Sequence, residues 1–238
     1  MNRKNYISSQ ISKIGINLSN DQSEQFLKYY EMLTEWNSFM NLTAITEFED
    51  VVSKHFVDSL SLIKIVDLNQ ELSLIDIGTG AGFPGLPLKI AFPHLKITLL
   101  DSLNKRINFL NEVINKLGFT DIDTIHGRAE DFAKPGMLRE KYDLCVSRAV
   151  ANLSTLSEYC LPFVKINGRF ISYKSEKIME EYNLAKNAIS LLGGEFKDQI
   201  EFILPDTTIY RNLVVINKVK ETPKQYPRKS GVASKNPL

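Results

Sequence analysis

The chain has 238 residues, 43% of them hydrophobic and 24% charged, with 29 Lys and Arg against 28 Asp and Glu for a net charge of +1. Such a length can bury roughly 70 to 75 per cent of its unfolded surface, as one domain with an appendage. The near-zero balance gives no global sign of a polyanionic partner, no apolar run approaches the ~18 residues of a membrane helix, and the polar start Asn2, Arg3, Lys4 predicts no secretory leader.

Residues 1 to 66 read as a helical cap. Ser19 and Gln22 form a capping box ahead of Phe26, Tyr30 and Leu33 on one helical face, and Thr46 with Glu49 repeats the device ahead of Val52, Phe56 and Leu60. From Leu72 the texture changes to alternating strands and helices. Strands are predicted at Leu72–Ile77, Leu95–Leu100, Ile122–Ile125, Tyr142–Ser147, Gly168–Tyr173, Ile200–Leu204 and Asn212–Val219. Helices fall between them at Leu86–Ala91, Leu103–Leu117, Asn152–Phe163 and Glu176–Leu192, with Gly118 and Gly193 as C-terminal stops. This order predicts an α/β fold: a seven-stranded, mostly parallel sheet spanning residues 67 to 220, its last two strands an antiparallel hairpin at the edge. Residues 221 to 238 form a tail that packs on that domain or extends from it. From Lys218 onward six basic residues stand against Glu221 alone, whereas residues 1 to 50 carry four basic and seven acidic ones. A basic end on a neutral chain fits either a solvated tail or a focused contact with an anion.

The strand at Leu72–Ile77 runs into DIGTGAGFPG, in which Gly78, Gly80 and Gly82 alternate with small residues behind Asp76. An acid followed by alternating glycines resembles the first motif of S-adenosylmethionine-dependent methyltransferases with a Rossmann-like fold. Gly80, Gly82 and Gly85 also satisfy the G-x-G-x-x-G spacing of dinucleotide folds. However, Pro84 withholds a backbone N–H that a pyrophosphate needs. In a doubly wound sheet ligands lie over the carboxyl ends of the strands. Asp101, ending the second strand, is placed to bind ribose hydroxyls. Ala129 and Glu130, after the third, border an adenine ring, and Arg148, after the fourth, faces a ligand or RNA. Phe83 flanks the adenosine or the target base, or serves as an apolar lid. His55, His94 and His126 are scattered, and Cys145 and Cys160 lack ligand spacing, so no metal is expected. Two reduced core cysteines predict a cytoplasmic protein.

Seven segments, NLTAI at 41–45, HFVDSL at 55–60, DIGTGAGFPGLPLKI at 76–90, LLDSLNKR at 99–106, HGRAED at 126–131, VSRAVA at 146–151 and the tail YPRKSGVASKNPL at 226–238, resemble the RsmG (GidB) family over essentially the whole chain. The resemblance implies methyl transfer from S-adenosylmethionine to N7 of a guanine in the 530 loop (position 527) of bacterial 16S ribosomal RNA, free, in the small subunit or in its assembly intermediate; the chain is expected to be a monomer. It implies that Gly78, Gly80, Phe83, Asp101, Ala129, Glu130 and Arg148 line the cofactor site. Lys105, Arg106, Lys174, Arg211, Arg228 and Lys229 become candidate phosphate contacts. No catalytic base is implied, since guanine N7 carries an in-plane lone pair and no proton. Two further readings stay open on the residues: a nicotinamide-dependent oxidoreductase, from the second glycine spacing, and a non-catalytic RNA-binding assembly factor, from the tail and the missing base.

Overall fold

Apolar residues alternating with period two build a sheet with two buried faces. Leu74, Leu144, Val146, Ile171 and Leu213 point into one core, while Ile75, Cys145, Phe170 and Val214 point into the other. The computed structural model describes residues 1–148, 151–175 and 178–238. Its sheet has the order β3-β2-β1-β4-β5-β7-β6. The strands are β1 (Ser73–Ile77), β2 (Lys96–Asp101), β3 (Ile122–His126), β4 (Tyr142–Ser147), β5 (Val164–Lys174), β6 (Gly194–Ile203) and β7 (Tyr210–Lys218). The first five are parallel, and β7 enters antiparallel between β5 and the edge strand β6. The expected hairpin is therefore present.

One face of the sheet is covered by α5 (Gly85–Ala91), α6 (Asn104–Leu117) and the N-terminal helices α1 (Arg3–Ser12) and α2 (Asn20–Met40). The other carries α7 (Ala129–Phe132), α8 (Leu153–Cys160) and α9 (Met179–Leu191). Ser19 and Gln22 make the predicted capping box on α2, and the same Gln22 reaches the carbonyls of Ile90 and Ala91 at 2.9 and 3.1 Å. The second capping box is absent. α3 (Phe48–Val51) starts one residue later than that box requires, so Glu47 takes its N-cap with no side-chain bond and Thr46 lies outside it, its carbonyl receiving the Tyr30 hydroxyl. Beyond α3 the helix widens into a π-turn over Val52–Val57, then continues as α4 (Asp58–Leu60) and a 3₁₀ turn over Ser61–Lys64.

Five strands run past the expected bounds, β2, β3 and β7 by one or two residues and β5 and β6 by more. β6 begins at Gly194 because Glu195 to Gln199 lie on a sheet edge, where no buried face demands apolar alternation. β5 begins at Val164, ahead of a register shift that hides the strand in the polar run Lys165 to Asn167. The expected helix start at Glu176 and the residues Ala149 and Val150 of VSRAVA lie outside the described residues.

The tail is strapped to the body. Glu158 on α8 holds Arg228, the Gly231 N–H donates to Glu130 at 2.9 Å, Thr155 donates to the Ala233 carbonyl, and Ser154 to that of Leu238. It ends in the short helix α10 (Val232–Lys235).

Candidate functional site

The turn after β1 closes over its own acid. Asp76 is fully buried, and its Oδ2 accepts from the Thr79 hydroxyl at 2.7 Å and the Gly85 N–H at 2.9 Å. Burial pushes its carboxyl up to about 7, against those two hydrogen bonds. Neighbouring amides are committed in the same way. Gly78 and Thr79 donate to the Leu100 carbonyl, Gly82 and Phe83 to that of Thr79, and Leu86 to that of Gly82, while Gly80 donates to Asp101 Oδ2 at 2.9 Å. Pro84 caps the seven-residue α5 and has no N–H to offer. A pyrophosphate would find these donors already spent, which removes the physical basis of the dinucleotide reading.

What the turn does provide is room. Gly80 sits at φ +63°, and a Cβ built on it meets nothing within 4 Å, whereas one on Gly82, at φ +102°, would fall 2.4 Å from Leu86 Cδ1. Gly82 thus packs inward and Gly80 faces a cavity of about 480 Å³, within the ordinary range for a small-molecule site. Gly78, Gly80, Phe83, Asp101, Ala129, Glu130 and Arg148 all line it.

Asp101, 2% exposed at the tip of β2, accepts from the Leu103 N–H on Oδ1 and from Gly80 and Arg106 on Oδ2. A carboxylate has about four acceptor positions, and Arg106 Nη1 also reaches Oδ1, at 3.5 Å, so a hydroxyl would take the place of that long contact. Arg106 Nε is buried beside it without a partner. Glu130, 4% exposed, spends Oε1 on the tail at Gly231, so the strap reaches the wall of the cavity. A pocket with glycine-bared backbone, a carboxylate for hydroxyls, apolar Leu100, Ala129 and Phe83, and no phosphate nest suits a sulfonium nucleoside.

Phe83 is 5% exposed and sandwiched: the His55 ring stacks on it at 4.3 Å, Tyr29 lies at 5.5 Å, and the Arg148 guanidinium sits 5.0 Å from its centroid. Tyr29 in turn donates its hydroxyl to the Ala81 carbonyl at 2.5 Å, tying α2 to the glycine turn. Arg148 donates to the Lys54 carbonyl at 3.0 Å, to Asp58 Oδ2 at 3.1 Å and to His55 Nδ1 at 3.0 Å. Burial and the adjacent Arg148 lower His55 to about 3, so its ring is neutral and Nε2 donates to Thr43 Oγ1.

Arg148 and His55 also wall a second cavity of about 550 Å³, completed by Asp58, Asn152, Tyr173, Lys174, Glu181 and Arg211. The two spaces share His55 and Arg148 as a common wall.

Of the six cations expected to meet phosphates, Lys105 and Lys229 are exposed, Lys105 donating to the Met40 carbonyl. The other four are engaged internally, Arg106 by Asp101, Lys174 by Glu181, Arg211 by Asp58 and Arg228 by Glu158. Lys174 and Arg211 still line the second cavity, whereas Arg228 is bound into the fold. His55 and Asp58, three apart in HFVDSL, are site residues that reasoning from sequence left aside. Their signal was a His and an Asp on one face of an otherwise apolar helical run. Among the described residues no group of His, Cys, Asp or Glu is arranged to hold a metal ion, and no helix is long and apolar enough to cross a membrane.

A parallel sheet ending in an antiparallel hairpin, with its glycine turn and strand-tip acid facing a nucleoside-sized cavity, defines the Rossmann-like methyltransferase class. The fold is shared with an S-adenosylmethionine-dependent methyltransferase of Aquifex aeolicus (TM-score 0.52, 19% identity, 71% of this chain and 93% of that one). It is shared too with TYW2 of M. jannaschii, solved in complex with AdoMet (TM-score 0.54, 15% identity, 68% and 75%). Within that class the chain belongs to the GidB family, rRNA small subunit methyltransferase G, whose model matches residues 22–221. It is 56% identical over 228 residues to the ribosomal RNA small subunit methyltransferase G of Lachnoclostridium phytofermentans, covering 96% of this chain and 94% of that protein. The protein of the same name from Alkaliphilus metalliredigens is 50% identical over 238 residues, 100% of both chains.

Proposed function

We propose that this chain transfers the methyl group of S-adenosylmethionine to N7 of a guanine in 16S ribosomal RNA, in the 530 loop at position 527. The observation that carries the reading is the pair of adjoining cavities: one at the strand tips, suited to the nucleoside cofactor, the other beside Lys174 and Arg211, suited to a nucleotide. Family membership supports the ribosomal substrate.

S-adenosylmethionine, when bound over Gly80 and Asp101, supplies an electrophilic sulfonium methyl. The chain's task is alignment, which is worth ~7 to 11 kcal/mol of a bimolecular barrier when two reactants are held in line. Guanine N7 needs no proton removed, in keeping with a neutral His55 that is locked between Arg148 and Thr43 and is therefore no base. The N7 edge lies in the deep, narrow major groove of A-form RNA, so the target base enters the second cavity unpaired. Arg148, Arg211 and Lys174 present donors to its acceptor edge and phosphate, and Glu181 an acceptor to its amino edge.

Incubation with tritiated S-adenosylmethionine and ribosomal RNA, particles or subunits from a strain lacking the gene tests the reading. Label on N7 of one guanine in the 530 loop is expected. Cofactor binding without label on any of these substrates would overturn it and favour a binding-only role.

A further inference from the structure

We infer that Asp58, a buried carboxylate of the N-terminal helical segment, is a positioning residue that aims Arg148 and Arg211 together at the junction of the two cavities. The inference rests on reading that junction as the methyl-transfer centre.

Asp58 is 2% exposed, and each of its oxygens holds a different arginine: Oδ2 takes Arg148 Nη1 at 3.1 Å, and Oδ1 takes Arg211 Nε at 2.9 Å. Arg148 follows β4 and Arg211 lies on β7, strands that are not neighbours in the sheet. Among the described residues the side chain bridging them therefore comes from a helix packed over the sheet. The π-turn helps to make this possible. Asp58 N–H donates to the carbonyls of Ser53 and His55, bypassing Lys54, whose carbonyl faces Arg148 Nη1 at 3.0 Å. One widened turn thus supplies three acceptors to a single guanidinium: the Lys54 carbonyl, His55 Nδ1 and Asp58 Oδ2. Behind that guanidinium the Phe83 ring blocks retreat, with its centroid 5.0 Å from Cζ.

Without the carboxylate, two cations, each 18% exposed at its side chain, face one another across a shared wall with no anion between them. Arg148 keeps His55 and Lys54 as partners, so it stays near its place but loses its heading, and Arg211, left with the adjacent Tyr210 carbonyl at 3.0 Å, swings toward the second cavity. A reactive geometry is sensitive to such shifts, with ~100-fold in rate following from a displacement of about 1 Å. Asp58 does not itself line the cofactor cavity, and the remaining bonds to the Lys54 carbonyl and His55 keep Arg148 in that cavity's wall, so cofactor affinity changes less than the rate.

The test uses the full chain with Asp58→Ala, Asp58→Asn and Asp58→Glu, assayed for methyl transfer to ribosomal RNA and, separately, for S-adenosylmethionine binding. Asp58→Ala is expected to lower kcat ~100-fold while the cofactor Kd moves less than ~3-fold, and added formate should restore at least ~10-fold by re-entering between the arginines. Asp58→Glu should retain more activity than Asp58→Asn, although Asn is the closer match in shape. The Nε–H resonance of Arg211, followed by nitrogen-15 NMR, should exchange slowly in wild type and rapidly in Asp58→Asn. That last readout needs no methyl transfer, so it stands even where RNA methylation fails in the wild type. Equal loss of kcat and cofactor binding, no response to formate, or an unchanged Arg211 signal would each overturn the inference. Should Asp58→Ala not fold, Asp58→Asn decides it by the same kcat and NMR readouts.

Discussion

Replacing Arg228 by Ala asks whether this side chain belongs to the fold or to an RNA-facing surface. Glu158 is 1% exposed at its side chain and receives the Arg228 N–H at 2.7 Å, Nε at 3.0 and 3.1 Å, and Nη2 at 2.6 Å. The backbone bond survives the substitution; the guanidinium bonds do not. Breaking a buried pair from one side costs ~3 to 5 kcal/mol, because the other charge is stranded. Arg228 is 22% exposed, so water screens part of the interaction and the expected cost sits near the lower end, about 3 kcal/mol. For a chain of this size each kcal/mol shifts Tm by ~2 to 4 °C, giving a fall of about 6 to 12 °C. Thermal unfolding measures this directly, with RNA binding across a salt series run on the same protein. Adding Glu158→Gln removes the stranded charge and should recover about 1 kcal/mol or more of the loss. An Arg228→Ala protein with unchanged Tm, and with its salt dependence of RNA affinity flattened by a slope of ~0.7 to 0.9, would refute the reasoning and return Arg228 to the RNA surface.

Asp76→Asn should remove a pH dependence. The buried carboxyl titrates near 7 rather than near 4, so its stabilising share is complete below pH ~4 and is lost as pH rises through ~7; the advantage of Asn over Asp in unfolding free energy should grow across that window toward a ceiling of about 4 kcal/mol. A difference that stays flat from pH 4 to 8 in urea unfolding would count against it. Gly80→Ala puts a methyl into the open cavity at a positive φ, and is expected to cost ~1 to 2 kcal/mol of stability and at least ~10-fold in S-adenosylmethionine affinity by calorimetry; unaltered affinity would move the cofactor elsewhere. Tyr29→Phe strands the Ala81 carbonyl and should cost ~1 to 3 kcal/mol in the same unfolding assay, an outcome that a purely apolar role for the ring would not give.

The parallel strands were legible in the sequence because burial on both faces forces runs such as SLIDI and KITLLD, and the glycine turn because an alternating series of glycines is costly unless backbone must approach something. The edge strand β6 was read short, since Glu195 to Gln199 answer to solvent and not to a core. The charged residues were the least legible. Arg106, Lys174, Arg211 and Arg228 look like free cations in a linear chain, and only the fold shows that Asp101, Glu181, Asp58 and Glu158 stand opposite them. Sequence separations of up to 153 residues, as between Asp58 and Arg211, leave no local periodicity to read. His55 was hidden for the related reason that its chemistry comes from a partner 93 residues away.

The strap at the C-terminus sets an order on biosynthesis. Glu130 and Glu158 are buried acids whose partners, Gly231 and Arg228, leave the ribosome 101 and 70 residues after them. While the strands and helices upstream are being made, both carboxylates lack those donors, and the wall of the nucleoside cavity that carries Glu130 is unfinished. Domains generally mature as units during synthesis, so this wall waits for the strap. The cavity wall is therefore completed only once Gly231 has been made, and any load on the segment around Leu238, whose main-chain oxygen accepts from Ser154 at 3.0 Å, pulls on the same strap.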